Sequence, residues 1–281
     1  MTLQEAYLFY SNKLKQIEIN NPSNEARIII KHSLDITDST FLINPNMLLS
    51  DVQKDDLENL FNKRLTSVPL AYVLNSQFFW KHDFYVNENV LIPRGDSETL
   101  IVSFLKYFSD KNKDLNILEI GVGSGCLILS ILDEYKNSRG LGVDISQEAL
   151  NVCKINANRL ELINHINLLQ SDLFENVQEK FDVIISNPPY IDEHDVDLAE
   201  DVKQFEPHLA LFAENNGLYF YEKILQQAKN YLHTGGMIFF EIGYTQNKAV
   251  IDLAKQNGFA HVETAKDLSA KDRVVILRIE S

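Results

Sequence analysis

The sequence predicts an α/β protein: a doubly wound, Rossmann-like sheet of seven mostly parallel strands, with a small N-terminal helical domain and a linking β-hairpin. Three observations carry that expectation. From residue 97 onward short apolar runs alternate with helical patterns, the rhythm of parallel strands joined by helices that cover both sheet faces. Residues 1–75 show helical spacing broken by turn signals and almost no strand-like run. The stretch "LEIGVGSG" (Leu118–Gly125) leaves an apolar strand through three glycines and opens a helix.

The elements follow in chain order. Thr2 and Glu5 have the spacing of a capping box, after which Leu3, Ala6, Tyr7, Tyr10 and Leu14 recur on one helical face. A second helix begins near Ser23 and turns Ala26, Ile29, Ile30 and Leu34 inward. Ser50 and Gln53 form another capping box ahead of a helix through Leu65, with Leu57, Leu60, Phe61 and Leu65 inward. Residues 1–75 therefore form a helical domain, read either as a packing module or as a docking platform for a macromolecule. The aromatic, alternating run "QFFWKHDFYVNENVLI" (Gln77–Ile92) predicts a hairpin with its turn at Asn87–Asn89, so that residues 76–95 link the two domains. Residues 96–281 then give helices at 97–108, 125–136, 146–160, 217–231 and 246–257. Strands fall at 115–120, 139–143, 165–170, 181–185, 236–242, 260–265 and 273–279. No helix separates the last two strands, which makes the final one, "RVVILRI", antiparallel.

Composition narrows the function. The chain has 281 residues, of which 45% are hydrophobic, enough for a large core beside a small domain. Its formal net charge of −14 opposes any role that rests on wrapping nucleic acid by phosphate neutralisation. Cys126 and Cys153 stand far apart in no CxxC pattern and read as buried thiols of a reducing cytosol. The N-terminus carries no basic, apolar leader pattern, and no run approaches the roughly 18 apolar residues of a membrane span. The expectation is a soluble, cytoplasmic protein without a membrane partner.

The glycine turn sits where open α/β sheets bind ligands, at a strand's C-terminal end. Gly121, Gly123 and Gly125 tolerate positive φ and close approach of a ligand, with Val122 and Ser124 between them. The dinucleotide fingerprint asks for Gly or Ala three residues after its second glycine; this chain has Cys126. Glu119, two residues before the first glycine, suits an amino group and repels a pyrophosphate. Asp144 ends the next strand about twenty residues on, the spacing of an acid that accepts from ribose hydroxyls. By itself Asp144 reads equally well as an acid at a helix N-terminus, ahead of Ser146. Asp172 ends the third strand, suited to an adenine amino group, and Leu173 offers the ring an apolar contact. The ligand is a nucleoside with little negative charge, and S-adenosylmethionine meets that description.

The fourth strand, "FDVII", runs into "SNPPY". Asn187 and Pro188 each precede a proline and are driven to extended backbone, while Pro188 and Pro189 have fixed φ and no N–H. The side-chain oxygen of Asn187 and the carbonyl of Pro188 are two converging acceptors for an NH₂ group, with Tyr190 supplying an aromatic face. Such a clamp aims the lone pair of a weakly nucleophilic amide or aromatic amine at a methyl donor. Alone, NPPY is a stiff strand-ending turn; after the acids of the preceding strand ends it reads as an acceptor site.

"LEIGVGSG", "GVDIS", "SDLF" and "SNPPYI", in that order, resemble the class I S-adenosylmethionine-dependent methyltransferases that act on amino groups. With "FFWKHDFYVNENVLIPRGDSETL", "DVKQFEPHLALFAENNGL" and the helical N-terminal domain, essentially the whole chain resembles the PrmC/HemK family. That family methylates the glutamine side-chain amide in the Gly-Gly-Gln motif of class I peptide chain release factors. The resemblance implies S-adenosyl-L-methionine as methyl donor and release factors as partners. It assigns Gly121–Gly125, Asp144 with its neighbour Ile145, Leu173 and Asn187 to the donor, and Asn187, Pro188, Pro189 and Tyr190 to the substrate glutamine. Arg94 in "IPRGDSE" would help to close the site. This chain has Gly95 and Ser97 where the family usually has Pro and Thr, and Val122 where it often has Thr.

NPPY is shared with DNA adenine and rRNA guanine exocyclic-amine methyltransferases, the alternative that the acidic balance opposes. A nucleoside-binding protein without turnover and a nicotinamide dehydrogenase are opposed by Asn187 and by the incomplete fingerprint. The acid- and histidine-rich run from Asp192 to His208 lacks EF-hand or zinc spacing and reads as a solvated loop, so no metal is expected. Trp80 reads as hairpin packing.

Overall fold

A computed structural model describes residues 1–192 and 200–280, in two compact units, Met1–Ser76 and Gln77–Ser281. The first unit contains α1 (Leu3–Gln16), α2 (Pro22–Leu34), α3 (Asp38–Ile43), α4 (Asp51–Leu65) and α5 (Leu70–Leu74). Both expected capping boxes form, Thr2 with Glu5 and Ser50 with Gln53, each satisfying two otherwise orphaned donors. Leu3, Ala6, Tyr10 and Leu14 of α1 meet Ala26, Ile29 and Ile30 of α2 and Leu57 and Phe61 of α4 in one core. The rings of Tyr10 and Phe61 stack there with centroids 3.8 Å apart. The short helices α3 and α5 lie where the sequence reading has none; five or six residues carry too little periodicity to announce a helix.

The second unit opens with a two-stranded hairpin, β1 (Gln77–Phe79) and β2 (His82–Phe84). Its turn is at Trp80–Lys81, which corrects the turn expected at Asn87–Asn89. Trp80 adopts φ +58°, a conformation that an aromatic residue does not advertise. Tertiary bonds hold it: the Trp80 N–H donates to Glu98 (2.9 Å) and its indole N–H to Glu134 (3.1 Å). Asn87 instead organises a separate turn, its carbonyl accepting from the Val90 N–H.

There follow α6 (Glu98–Tyr107), β3 (Asn116–Ile120), α7 (Cys126–Glu134), β4 (Arg139–Asp144), α8 (Gln147–Arg159), β5 (Ile166–Gln170) and β6 (Phe181–Ser186). Beyond them come α9 (Glu200–Phe205), α10 (His208–Leu211), the single turn α11 (Glu214–Gly217) and α12 (Tyr219–Ala228). The chain closes with β7 (Leu232–Glu241), α13 (Asn247–Gln256), β8 (Phe259–Lys266) and β9 (Asp272–Ile279). The helix expected from 217 starts at Tyr219, because Asn215 and Asn216 take left-handed backbone just before it.

The seven strands lie in the order β5-β4-β3-β6-β7-β9-β8, and β9 runs antiparallel to both neighbours, as the missing crossover helix requires. Alternate residues of the central strands enter different cores, as a pleat covered on both faces demands. Ile117, Val183, Ile185 and Phe239 pack on one side; Leu118, Ile184, Ile238 and Phe240 pack on the other. Chain order reverses between β3 and β6, which are direct neighbours with Ile120 opposite Ser186. That reversal opens a crevice at the C-terminal edge of the sheet, the place where such folds take ligands. Among the described residues no helix is long and apolar enough to cross a membrane.

Candidate active site

The crevice is a cavity of about 380 Å³, lined by the ends of β3, β4, β5 and β6 and by two loops, 88–97 and 207–210. It gathers Arg94, Glu119, Gly121, Val122, Gly123, Ser124, Asp144, Ile145, Asp172, Leu173, Asn187, Pro188 and Pro189, nearly all of the site residues expected from sequence. Two expected residues do not border it, Gly125 and Tyr190.

The glycine turn separates into two roles. Gly121 and Gly123 have φ of +73° and +51°, and a Cβ added to either would meet nothing within 4 Å. Gly125 is also left-handed, but a Cβ there would lie 2.5 Å from the Cys153 sulfur and 3.0 Å from Leu129. Gly125 is thus required for packing α7 against α8, while Gly121 and Gly123 face open space on the cavity. Asn156 on α8, missed in the sequence, braces the turn from behind. Its amide donates to the Ser124 and Tyr85 carbonyls (both 2.9 Å) and accepts from the Tyr85 N–H (2.7 Å).

Asp144 is held by main-chain donors, one oxygen accepting from Gly123 N–H (2.9 Å) and the other from Ser146 N–H (3.0 Å). Each oxygen keeps a second lone pair for a hydroxyl. Burial raises the pKa of this carboxyl, and the N–H bonds from Ser146, Gly123 and Ile145 oppose the rise. Ile145 follows with 54% exposure on the cavity rim, an apolar side chain kept wet. Glu119 is buried and accepts from the Ile128 N–H (3.0 Å), one of the orphan donors at the start of α7. Burial pushes its pKa well above the carboxylate range, with that N–H pulling against it.

At the end of β6 the Ser186 hydroxyl donates to the Ile120 carbonyl (2.7 Å) and locks β6 to β3 below the Asn187-Pro188-Pro189 loop. Tyr190 turns away from the cavity. Its hydroxyl donates to Glu241 (3.4 Å), and its carbonyl accepts from the Gln246 amide (3.0 Å). The aromatic face that the sequence suggested for substrate is spent on the protein itself.

Arg94 pairs with Glu206, whose other oxygen accepts from the Ile92 N–H (3.1 Å). Glu206 is 5% exposed, so the expectation of a solvated loop fails there. Residues 193–199 of that run, with its acids Glu193, Asp195 and Asp197, lie outside the described residues. The signal for Glu206 was its place in "FEPHLAL", where a glutamate beside proline looks like any surface acid. Gly95 carries no positive φ, and its loop is tied by Arg94 to Glu206 and by Asp96 to Arg273 (3.0 Å).

The donor set suits an uncharged nucleoside better than a phosphorylated one. Among the described residues Arg94 is the one basic side chain on the cavity, facing Glu88, Glu119, Asp144 and Asp172. A pyrophosphate would meet four carboxyls there, whereas ribose hydroxyls, an amino group and an adenine edge find acceptors.

Comparison with known proteins agrees with this chemistry. Residues 97–205 match the Methyltransferase small domain and residues 5–74 the PrmC N-terminal domain. A release factor glutamine methyltransferase of Caulobacter vibrioides is 35% identical over 278 residues, covering 98% of this chain and 96% of that one. A bifunctional methyltransferase of Rickettsia bellii is 37% identical over 290 residues, covering 94% of this chain and 52% of its own length. The chain spans about half the length of the bifunctional relatives it matches. A methyltransferase structure from Pyrococcus furiosus aligns with a TM-score of 0.52 at 16% identity, over 82% of this chain and 98% of that one, a likeness of fold. Sheet order, crevice and glycine turn together define the class, the Rossmann-like methyltransferases that use S-adenosylmethionine. Within that class, the chain belongs to the release factor glutamine methyltransferase family.

Proposed function

We propose that the chain transfers a methyl group from S-adenosylmethionine to the side-chain amide nitrogen of the glutamine in the Gly-Gly-Gln motif of class I peptide chain release factors. The observation that carries this reading is the juxtaposition of the Asn187-Pro188 acceptors with the Gly121–Asp144 ligand edge on one cavity. The Caulobacter relative, matched over nearly its whole length, supports the choice of glutamine. A cytoplasmic reaction, beside translation termination, follows from that substrate.

Gly121 and Gly123 would accommodate the donor's tail, Asp144 its ribose hydroxyls, Ile145 and Leu173 the faces of its adenine, and Asp172 the adenine amino group. When bound, S-adenosylmethionine supplies an electrophilic methyl group on its sulfonium. An amide nitrogen is a poor nucleophile because its lone pair is delocalised into the carbonyl. Asn187 Oδ1 and the Pro188 carbonyl accept its two N–H bonds, orient the lone pair and stabilise the positive charge that grows on nitrogen during attack. As the N–C bond forms the S–CH₃ bond breaks, and one of those protons departs to solvent, leaving a neutral N-methyl amide and the thioether S-adenosyl-L-homocysteine. Pro188 and Pro189 hold the acceptors in place at little entropic cost, since their φ angles are fixed before substrate arrives. The Arg94–Glu206 pair braces the facing loop and helps to keep water from the reacting atoms.

We further infer that the N-terminal unit docks the release factor. Leu42, Ile43, Leu48 and Val52, close together in the chain, are all exposed on it and offer apolar surface for such docking.

Incubating the full chain with methyl-labelled S-adenosylmethionine and either a release factor or nucleic acid tests the reading. Label is expected in the release factor glutamine, and Asn187→Ala slows its incorporation about a hundredfold or more. Label entering DNA or RNA alone would overturn the assignment of substrate.

A further inference from the structure

Two segments supply neighbouring walls of the cavity: Asn187, Pro188 and Pro189 on one, Phe220 and Ile224 of α12 on the other. They meet at residues that do not border it. The Ile191 N–H donates to the Leu211 carbonyl (3.1 Å), and the Ile191 carbonyl accepts from the Ala213 N–H (2.9 Å), which lays the chain after NPPY alongside residues 211–213. Asn215, Asn216 and Gly217 then take φ of +57°, +52° and +77°, three left-handed residues in succession before α12. A left-handed run belongs to no regular helix or sheet of L-residues, so its carbonyls need partners outside any ladder.

One side chain meets that need and joins the segments. The Gln246 amide nitrogen donates to the carbonyls of Tyr190 (3.0 Å), Asn216 (3.3 Å) and Gly217 (3.4 Å), while its amide oxygen accepts from the Gly243 N–H (3.0 Å). Two N–H bonds are shared among three acceptors, and a flipped amide would set oxygen against oxygen. Two glycines leave room for it. A Cβ on Gly217 would lie 2.0 Å from the Tyr190 carbonyl oxygen and 2.6 Å from the Gln246 nitrogen, and one on Gly243 2.9 Å from the Gln246 oxygen.

Gln246 is itself anchored. It stands at the N-terminal boundary of α13, its main-chain N–H donating to the Gly243 carbonyl (2.8 Å) and its carbonyl accepting from the Val250 N–H (3.0 Å). The next residue, Asn247, donates to Asp272 (2.8 Å) and accepts from the Thr264 hydroxyl (2.9 Å), so the start of α13 is fastened to the β8–β9 pair.

We infer that Gln246 is a positioning residue for methyl transfer: one side-chain amide fastens the end of the NPPY segment to the start of α12, so that the Asn187-Pro188 acceptors and Phe220 keep fixed places on the cavity. The inference rests on Asn187 and Pro188 being the amide clamp. Gln246 does not border the cavity and acts through main chain. Two prolines make the segment stiff, but stiffness alone does not say where its acceptors point. Once the Tyr190 carbonyl is held, Pro188 and Pro189, with φ already fixed, carry that constraint back to the acceptors. The same amide, holding the Asn216 and Gly217 carbonyls, sets where α12 begins.

The test compares wild type with Gln246→Glu and Gln246→Met in the full chain, below the melting temperature of each. Gln246→Glu keeps the shape and the acceptor for Gly243 but replaces the donor; Gln246→Met keeps the length and loses both. Hydrogen–deuterium exchange, with no ligand or acceptor present, is read in segments 187–192 and 213–219, and in β3 as a control for folding. Both variants are expected to speed exchange about threefold or more in the two segments, with β3 unchanged. In methyl transfer to a release factor, kcat should fall about tenfold or more in both, as misplaced acceptors require, and KM for S-adenosylmethionine should stay unchanged. Unchanged exchange in both segments of Gln246→Glu overturns the inference, as does faster exchange with kcat intact. A rise in KM for S-adenosylmethionine as large as the fall in kcat also overturns it, since that marks a general loosening of the site. Should Gln246→Met fail to fold, Gln246→Glu decides. A wild type that modifies no release factor, with the exchange changes present, overturns the substrate assignment and supports the tie between the segments.

Discussion

On the proposed reading Asn187 acts on the acceptor amide and Asp144 on the donor, so their variants should separate cleanly. Asn187→Ala removes one of two acceptors that act on charge developing at the substrate nitrogen. By analogy with the loss of one oxyanion donor, kcat should fall by about a hundredfold or more while the donor's Kd, read by calorimetry, changes little. Asp144→Ala should do the reverse and weaken S-adenosylmethionine binding before it affects the chemistry. The pKa of Asp144 is raised by burial, so its carboxylate is lost on acidification earlier than an exposed aspartate would be. Affinity for the donor should accordingly fall as pH is lowered through that raised value, and Asp144→Asn should abolish the pH dependence. Glu206 acts at one remove. Replacing it with Ala leaves the buried Ile92 N–H unsatisfied, a cost of about 1–3 kcal/mol that thermal melting would register.

The glycine turn between β3 and α7 shows how one element serves two ends. Gly123→Ala places a methyl group into open cavity at φ +51°, where an L-residue costs roughly 1–2 kcal/mol. Its main effect should be on donor binding. Gly125→Ala adds the same backbone strain to a 2.5 Å encounter with the Cys153 sulfur, and overpacking of that kind costs a further 1–3 kcal/mol or about that. Melting temperature should drop more for Gly125→Ala, and donor affinity more for Gly123→Ala; equal effects on both would refute the division of roles. In the sequence the three glycines are indistinguishable, since each is spaced two residues from the next. What separates them is the neighbour on α8, which enters the chain almost thirty residues later.

At the scale of the whole molecule, the buried Glu241 makes stability depend on pH. A buried acid whose folded pKa exceeds its unfolded one stabilises the fold least where it must ionise. Below its usual 4.5 wild type and Glu241→Gln should differ little; as pH rises through about 7, wild type loses stability that the amide retains. The advantage of Glu241→Gln at high pH should approach the order of 3 kcal/mol, visible as a melting difference that widens from acid to alkaline buffer. The docking reading is tested on the other unit. Ile43→Asp combined with Leu48→Asp should raise KM for the release factor and leave kcat and donor binding unchanged, because both side chains are exposed and carry no core packing.

The sequence by itself determined the sheet, its antiparallel last strand, the capped helices and the glycines and acids that line the cavity. Each of these is written in local code: alternation, capping boxes, glycines after a strand, and acids at strand ends. It also marked NPPY as stiff and rich in acceptors. Only the tertiary structure decided that β6 pairs with β3, which brings Asn187 against Gly121 across more than sixty residues of chain. The same holds for Tyr190 facing Glu241 instead of the cavity, for Arg94 closing on Glu206, and for the hairpin turning at Trp80. These are pairings between distant residues, and a side chain's direction at a strand end depends on what packs beside it. No local pattern carries that information, because the partner that settles it arrives from another part of the chain.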